Sequence, residues 1–206
     1  AMLVFAWWLA RPSVVRSNLD LRLVLALWAL PLAVGPLVLS LDAYGYADLG
    51  WSLLHGLDPY ATGLGTTGSP YVPGVPPYLE GVRWAYPGLG ISANGWSAAL
   101  TGFHPYWGVV AQRLPAWIGV ALMAFSLPRV AAAIGVPRPM ALWFGLLNPV
   151  VVLHLLGGAH NDALMTGLGL LAIALAVVPR GHRAARFIAA SAVLGMAIAV
   201  KPQVGL

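Results

Sequence analysis

The sequence predicts an all-α, polytopic transmembrane protein. Two observations carry that prediction. The 206 residues include only 8% charged side chains at a mean hydropathy of +0.81, and the apolar residues gather in runs near the roughly 20 that a helix needs to cross the hydrocarbon core. A third observation, the placement of the arginines, gives the chain an orientation. Cysteine is absent, which excludes thiol nucleophiles, cysteine metal sites and a disulfide framework. The formal charge of +5 sits on single basic residues scattered between apolar runs. No phosphate-tracking patch forms, so nucleic acid is excluded as a partner.

Taken in order, residues 1–10 are apolar but too short to span and follow no basic region, so they read as the tail of an earlier helix rather than a signal peptide. Full spans are expected at residues 23–40, 109–132, 141–156, 163–178 and 187–206. The chain has no initiator Met and stops inside an apolar run. It therefore reads as one transmembrane domain, 1–206, that is a fragment open at both ends. If the spans alternate, Arg11, Arg16, Arg22, Arg129, Arg138, Arg180, Arg183 and Arg186 share one side, which the positive-inside rule makes cytoplasmic. Asp42, Asp48, Asp58, Glu80 and Asp162 then fall outside.

The same alternation puts a long loop, 41–108, outside the membrane, with the short link "GGAHND" and the "KPQ" at the end of the last span. Within the loop, Tyr46, Leu49 and Leu53 recur at helical spacing, so 42–57 is expected as an amphipathic helix in the interface. From 61 to 87, ten of twenty-seven residues are Gly or Pro, which predicts a folded-back loop instead of a helix. Tyr71, Tyr78, Trp84 and Tyr86 in that loop are read as interfacial anchors, in preference to a sugar-stacking role.

"LDAYGYADLGWSLLHGLDPY", "NPVVVLHLLGGAHNDALMTGLGLLAIALA" and "KPQVGL", in that order and spacing, resemble the actinobacterial polyprenol-phosphomannose-dependent α-1,6-mannosyltransferases. The resemblance runs from about Leu21 to the last residue. It implies a GT-C-type membrane enzyme that takes mannose from polyprenyl-phosphate mannose and extends an α-1,6-mannan of a cell-envelope lipoglycan. The reaction would lie on the extracytoplasmic face of the plasma membrane, with this chain as roughly the first half of the enzyme.

Glycosyl transfer from a lipid phosphate needs a base for the acceptor hydroxyl, cations or dipoles for the leaving phosphate, and a surface that admits the lipid. An inverting transfer can run on a single carboxylate. Asp42 is the candidate, because low dielectric at the end of a membrane helix raises proton affinity. The other role open to it is that of a helix cap. Asp48 lies about 240° further round the same helix, so the two carboxylates do not share a face. The resemblance favours Asp42 as the buried one and leaves Asp48 a substrate contact. Asp58, before Pro59, reads as a turn former.

His160, Asn161 and Asp162 are expected to bind sugar hydroxyls or the phosphate at a helix N-terminus, with Asn161 or Asp162 also suited to cap that helix. Arg113, one turn inside its span, and Lys201 are the candidate cations for the phosphate, the other role of each being to snorkel to headgroups. His-x-Asp without a third spaced ligand is not a metal signature, and neither metal nor cofactor is predicted. The competing reading is a transporter or flippase of a lipid-linked sugar, its helices broken at Pro31, Pro36 and Pro149. Against it, the polar motifs cluster at one face and the span centres are almost free of charge.

Overall fold

The computed structural model describes residues 2–16, 18–84, 86–177 and 182–205. Arg180 and the expected span ends at Val178 and Leu206 lie outside the described residues, whose regular elements are all helices, with no strand. Helix α1, Met2–Val15, is followed by α2, Leu21–Ala29. Asp20 caps α2 by accepting from the N–H groups of Arg22 and Leu23, two donors that have no partner inside the helix. Next come α3, Asp42–Leu54, α4, Gly88–Ala99, and α5, Pro105–Val110. The remaining helices are α6, Arg113–Ala133, α7, Arg138–Gly145, a π-helix at Val150–Gly157, α8, Asp162–Val177, and α9, Arg183–Val200.

Two of these helices are long and apolar enough to cross a membrane: the 29 residues Pro105–Ala133, formed by α5 and α6, and α9. A third crossing results if α7 and the π-helix, bent by 51° at their junction, count as one span. Five full spans were expected, and the first of those expectations changes. The run 23–40 is not one helix, because a 3-10 turn at Leu30–Leu32 ends α2 and an irregular strap follows to Leu41. Pro31, Gly35 and Pro36 are the cause, since proline lacks the N–H that a continuing helix requires. Helix α8, 16 residues long among those described, matches the expected 163–178 to within one residue at each end. Pro149 marks the bend beside the π-helix, where Asn148 Oδ1 accepts from the Val150 N–H at 2.9 Å.

Helix α3 forms where its spacing predicts it, but it is no surface helix. Ala43, Gly45, Tyr46, Ala47, Asp48, Leu49, Gly50 and Ser52 are all buried. It crosses α4 at Gly50 and Gly95, where a Cβ on Gly50 would come within 2.3 Å of the Gly95 backbone nitrogen. Helices α6 and α8 meet the same way, a Cβ on Gly119 falling 2.1 Å from the Ala163 carbonyl oxygen. Small residues at such crossings let backbones approach closely, the usual means of helix association in lipid. Helix α8 also packs on α9, and α9 on α4. Large apolar side chains, among them Phe5, Ile118, Phe125, Phe187 and Ile188, remain exposed on α1, α6 and α9, as lipid-facing positions do. These crossings bring the start of α3, the start of α8 and the end of α9 to one end of the helices.

Candidate active site

Asp42 opens α3, and its N–H donates to Ser40 Oγ at 3.1 Å. A carboxylate there is favoured by the partial positive charge of the helix N-terminus. Its side chain is 32% exposed and faces the His160 imidazole, with Nδ1 3.8 Å from Oδ2. That separation is beyond a hydrogen bond. Among the described residues the Asp42 carboxylate accepts no hydrogen bond.

Asp48, not Asp42, is the buried acid, which corrects the assignment made from the sequence. At 0% exposure its carboxylate accepts from Gly65 N–H at 2.9 Å, from Ser69 Oγ at 2.5 Å and from Thr67 Oγ1. These donors replace the hydration that burial removes, and they staple the Gly- and Pro-rich loop to α3. Asp58 forms the expected turn, accepting from Tyr60 N–H at 2.9 Å.

His160 follows Ala159, whose φ of 57° is left-handed, a conformation that costs a non-glycine residue roughly 1–2 kcal/mol. Leu39, three residues before Asp42, has a φ of 66°. The chain therefore turns sharply just before each of these two side chains. The His160 ring stacks on His154, with centroids 3.9 Å apart, and Gly158 leaves no room for a side chain beside it, since a Cβ there would approach Cδ2 to 2.8 Å. Burial pushes the His160 pKa down and His154 adds to that, while Asp42 and Asp162 oppose it. The imidazole is accordingly neutral at neutral pH. His160 Nε2 and Asn161 Nδ2 are both buried without a hydrogen-bond partner.

Lys201, at the end of α9, reaches both carboxylate oxygens of Asp162 at 2.9 Å. The pair joins the negative end of one helix dipole to the positive end of another, and Lys201 Nζ also lies 5.6 Å from the centre of the Tyr86 ring. Asp42, His160, Asn161, Asp162 and Lys201 thus meet, although they come from three separated segments.

Arg113 is not among them. The residue is 2% exposed, and its guanidinium donates to four carbonyl oxygens: Gly35 at 2.7 Å, Pro36 at 2.7 Å, Leu156 at 3.2 Å and Gly157 at 3.0 Å. The first two belong to the strap that leads to Asp42, the others to the turn that leads to His160. Val38 N–H donates to the Gly157 carbonyl oxygen at 3.1 Å, joining the same two segments. Among the described residues no group of three or more His, Asp or Glu side chains is placed to hold a metal ion.

Residues 1–206 match the model of a family described as "Alpha-(1->6)-mannopyranosyltransferase, N-terminal domain". The chain belongs to this mannopyranosyltransferase family. Relatives include an alpha-(1->6)-mannopyranosyltransferase A of Mycobacterium tuberculosis, 34% identical over 92% of this chain and 36% of that protein. A probable alpha-(1->6)-mannopyranosyltransferase of Mycolicibacterium smegmatis is 37% identical over 81% of this chain and 31% of its own length. An alpha-(1->6)-mannopyranosyltransferase A of Corynebacterium glutamicum is 31% identical over 83% of this chain and 34% of its own length. The chain spans about a third of the relatives it matches. No solved structure matches it.

Three features of the site leave little or no readable trace in the sequence. His154 is hidden in an apolar run and meets His160 only because the π-helix and the turn after it fold back. Ser40, which receives the Asp42 N–H, has a local signal in the Ser-x-Asp order. The role of Arg113 has none, because its acceptors are backbone carbonyls that any residue supplies.

Proposed function

We propose that this chain forms the part of a GT-C-type mannosyltransferase that carries the catalytic base, moving mannose from polyprenyl-phosphate mannose to an α-1,6-mannan acceptor of a cell-envelope lipoglycan with inversion. The reaction is assigned to the extracytoplasmic face of the plasma membrane. The observation that carries this reading is the Asp42 carboxylate, accessible, accepting no hydrogen bond among the described residues and beside His160, with the Asp162–Lys201 pair on the same surface. A general base must keep a lone pair for the incoming proton and be reachable by the hydroxyl that gives it up. The acceptor oxygen attacks the anomeric carbon, its proton passes to Asp42, and the bond from that carbon to the phosphate oxygen breaks with its electron pair leaving on the phosphate.

Other side chains take supporting roles. Lys201 has three donors; with Asp162 holding the ammonium in place, one can serve a phosphate oxygen. Asn161 Nδ2, buried and without a partner, is suited to a sugar hydroxyl, because an unmet buried donor costs about 1–3 kcal/mol. Asp48 and Arg113 hold the walls of the site in place without touching substrate. The relatives' names favour transfer over the transporter reading.

The test incubates the full-length enzyme with several labelled polyprenyl-phosphate sugars and a short mannan acceptor, followed by linkage analysis of the product. Mannose is expected to transfer in an α-1,6 linkage without a membrane gradient. Asp42→Asn is expected to remain folded and lose on the order of a hundredfold or more in turnover, the usual effect of losing a general base. Near-normal turnover by Asp42→Asn removes it from the chemistry.

A further inference from the structure

The loop aromatics, read together from the sequence as interfacial anchors, separate into different environments. Tyr78 is 76% exposed, as an anchor would be. Trp84 and Tyr86 are half-buried instead, and with Lys201, Pro202 and Gln203 they line a cavity of about 310 Å³. We infer that this cavity is a hexopyranose-binding subsite, with Trp84 and Tyr86 as its stacking walls; the inference rests on the glycosyl-transfer reading and locates one sugar ring within it.

The two rings are fixed at a right angle. Their centroids lie 5.3 Å apart with an interplanar angle of 81°. Trp84 is held against α3 at Gly45, where a Cβ would come within 3.0 Å of its ring, and lies 5.4 Å from the buried Tyr46 ring. Tyr86 is held through its carbonyl oxygen, which accepts from Tyr60 OH at 2.9 Å. Rigid aromatic walls give up little entropy when a ligand binds.

A pyranose fits this corner chemically. Its C–H groups form an apolar face that packs on an aromatic ring, and its hydroxyls form a polar rim that needs hydrogen-bond partners. The Gln203 amide and the Lys201 ammonium supply polar groups at the edge of the same cavity. The volume lies at the low end of the roughly 300–1,000 Å³ range for small-ligand sites, suiting a single ring rather than a long chain. Lys201 belongs to both the cavity and the Asp162 pair, and Gly45 is one helical turn from Asp42. The bound ring is therefore next to the transfer chemistry.

The ring can belong to the acceptor or to the donor, and two measurements separate these sources. Binding of α-1,6-linked mannobiose to full-length protein without donor reads the acceptor arm, and the KM for polyprenyl-phosphate mannose reads the donor arm. Trp84→Leu is expected to weaken one of the two by about ten-fold, the scale of a well-packed aromatic contact, while Trp84→Phe retains most of it and Tyr78→Leu changes neither. Gln203→Trp, which fills the cavity and leaves Trp84 packed on Gly45, is expected to reproduce the loss and keeps the test valid if Trp84→Leu does not fold. The inference is overturned if wild-type protein transfers mannose while folded Trp84→Leu and Gln203→Trp match it in both arms, or if Tyr78→Leu loses as much as Trp84→Leu. Wild-type protein that binds mannobiose in a manner sensitive to Trp84 but transfers no mannose sinks the transfer reading and leaves the subsite standing.

Discussion

A buried arginine surrounded by backbone carbonyls sets the geometry at the residue scale. Arg113 is planar and presents five donors in a fixed fork, and it uses them to hold the strap before Asp42 and the turn before His160 against each other. Lysine carries the same charge but not the fork, so the exchange is not conservative here. Arg113→Lys is expected to destabilise the full-length protein by about 3 kcal/mol, because removing this fork leaves buried carbonyls unpaired. It is also expected to lower kcat with little change in the KM for donor, as Asp42 and His160 lose their register. A thermal midpoint and steady-state kinetics check both effects. Unchanged stability and kcat with a raised donor KM would make Arg113 a phosphate ligand after all. The same contrast explains why Asp48 was misjudged from the sequence: its hydroxyl donors, Thr67 and Ser69, lie 19 and 21 residues further along the chain. Local spacing carries no trace of them.

At the scale of elements, two glycine crossings place the site. A side chain at Gly119 would collide with the Ala163 carbonyl, and this crossing sets where α8 begins and therefore where Asp162 meets Lys201. Gly119→Val is expected to reduce the yield of folded protein and, in what folds, to lower transfer by at least about tenfold; overpacking of this kind typically costs 1–3 kcal/mol. Detergent size-exclusion and an activity assay on the folded fraction read the result, and a stable, active Gly119→Val would show that the α6–α8 contact does not position the site. Much at this scale was legible in advance. Helix α3 follows from Tyr46, Leu49 and Leu53, and the irregular loop from its glycines and prolines. The run 23–40 reads as one helix because apolar composition is the same in a helix and in an irregular strap; Pro31, Gly35 and Pro36 are the only residues in it that signal the break. Burial of α3 was not legible, since small residues at Gly50 and Gly95 signal a close crossing only once their partners are known.

At the scale of the whole molecule, α6 leaves the site, α7 and the π-helix return to it, α8 leaves it and α9 returns to Lys201. Arg22 and Arg138 line one cavity together, and Arg183 and Arg186 open α9, the end of that helix remote from Lys201. Family membership accounts for the order of the motifs, while their meeting at one place is a property of the fold. The central claim, that three separated segments act as one site, is tested most directly by a double-mutant cycle between His160 and Lys201. Full-length wild type, His160→Ala, Lys201→Ala and the double variant are compared by transfer rate at subsaturating donor. If both residues act on one bound donor, the combined loss differs from the sum of the separate losses by more than about 0.5 kcal/mol, whereas independent sites add to within about 0.3–0.5 kcal/mol. Strict additivity would contradict the shared site and leave Asp42 alone as the residue assigned to the chemistry.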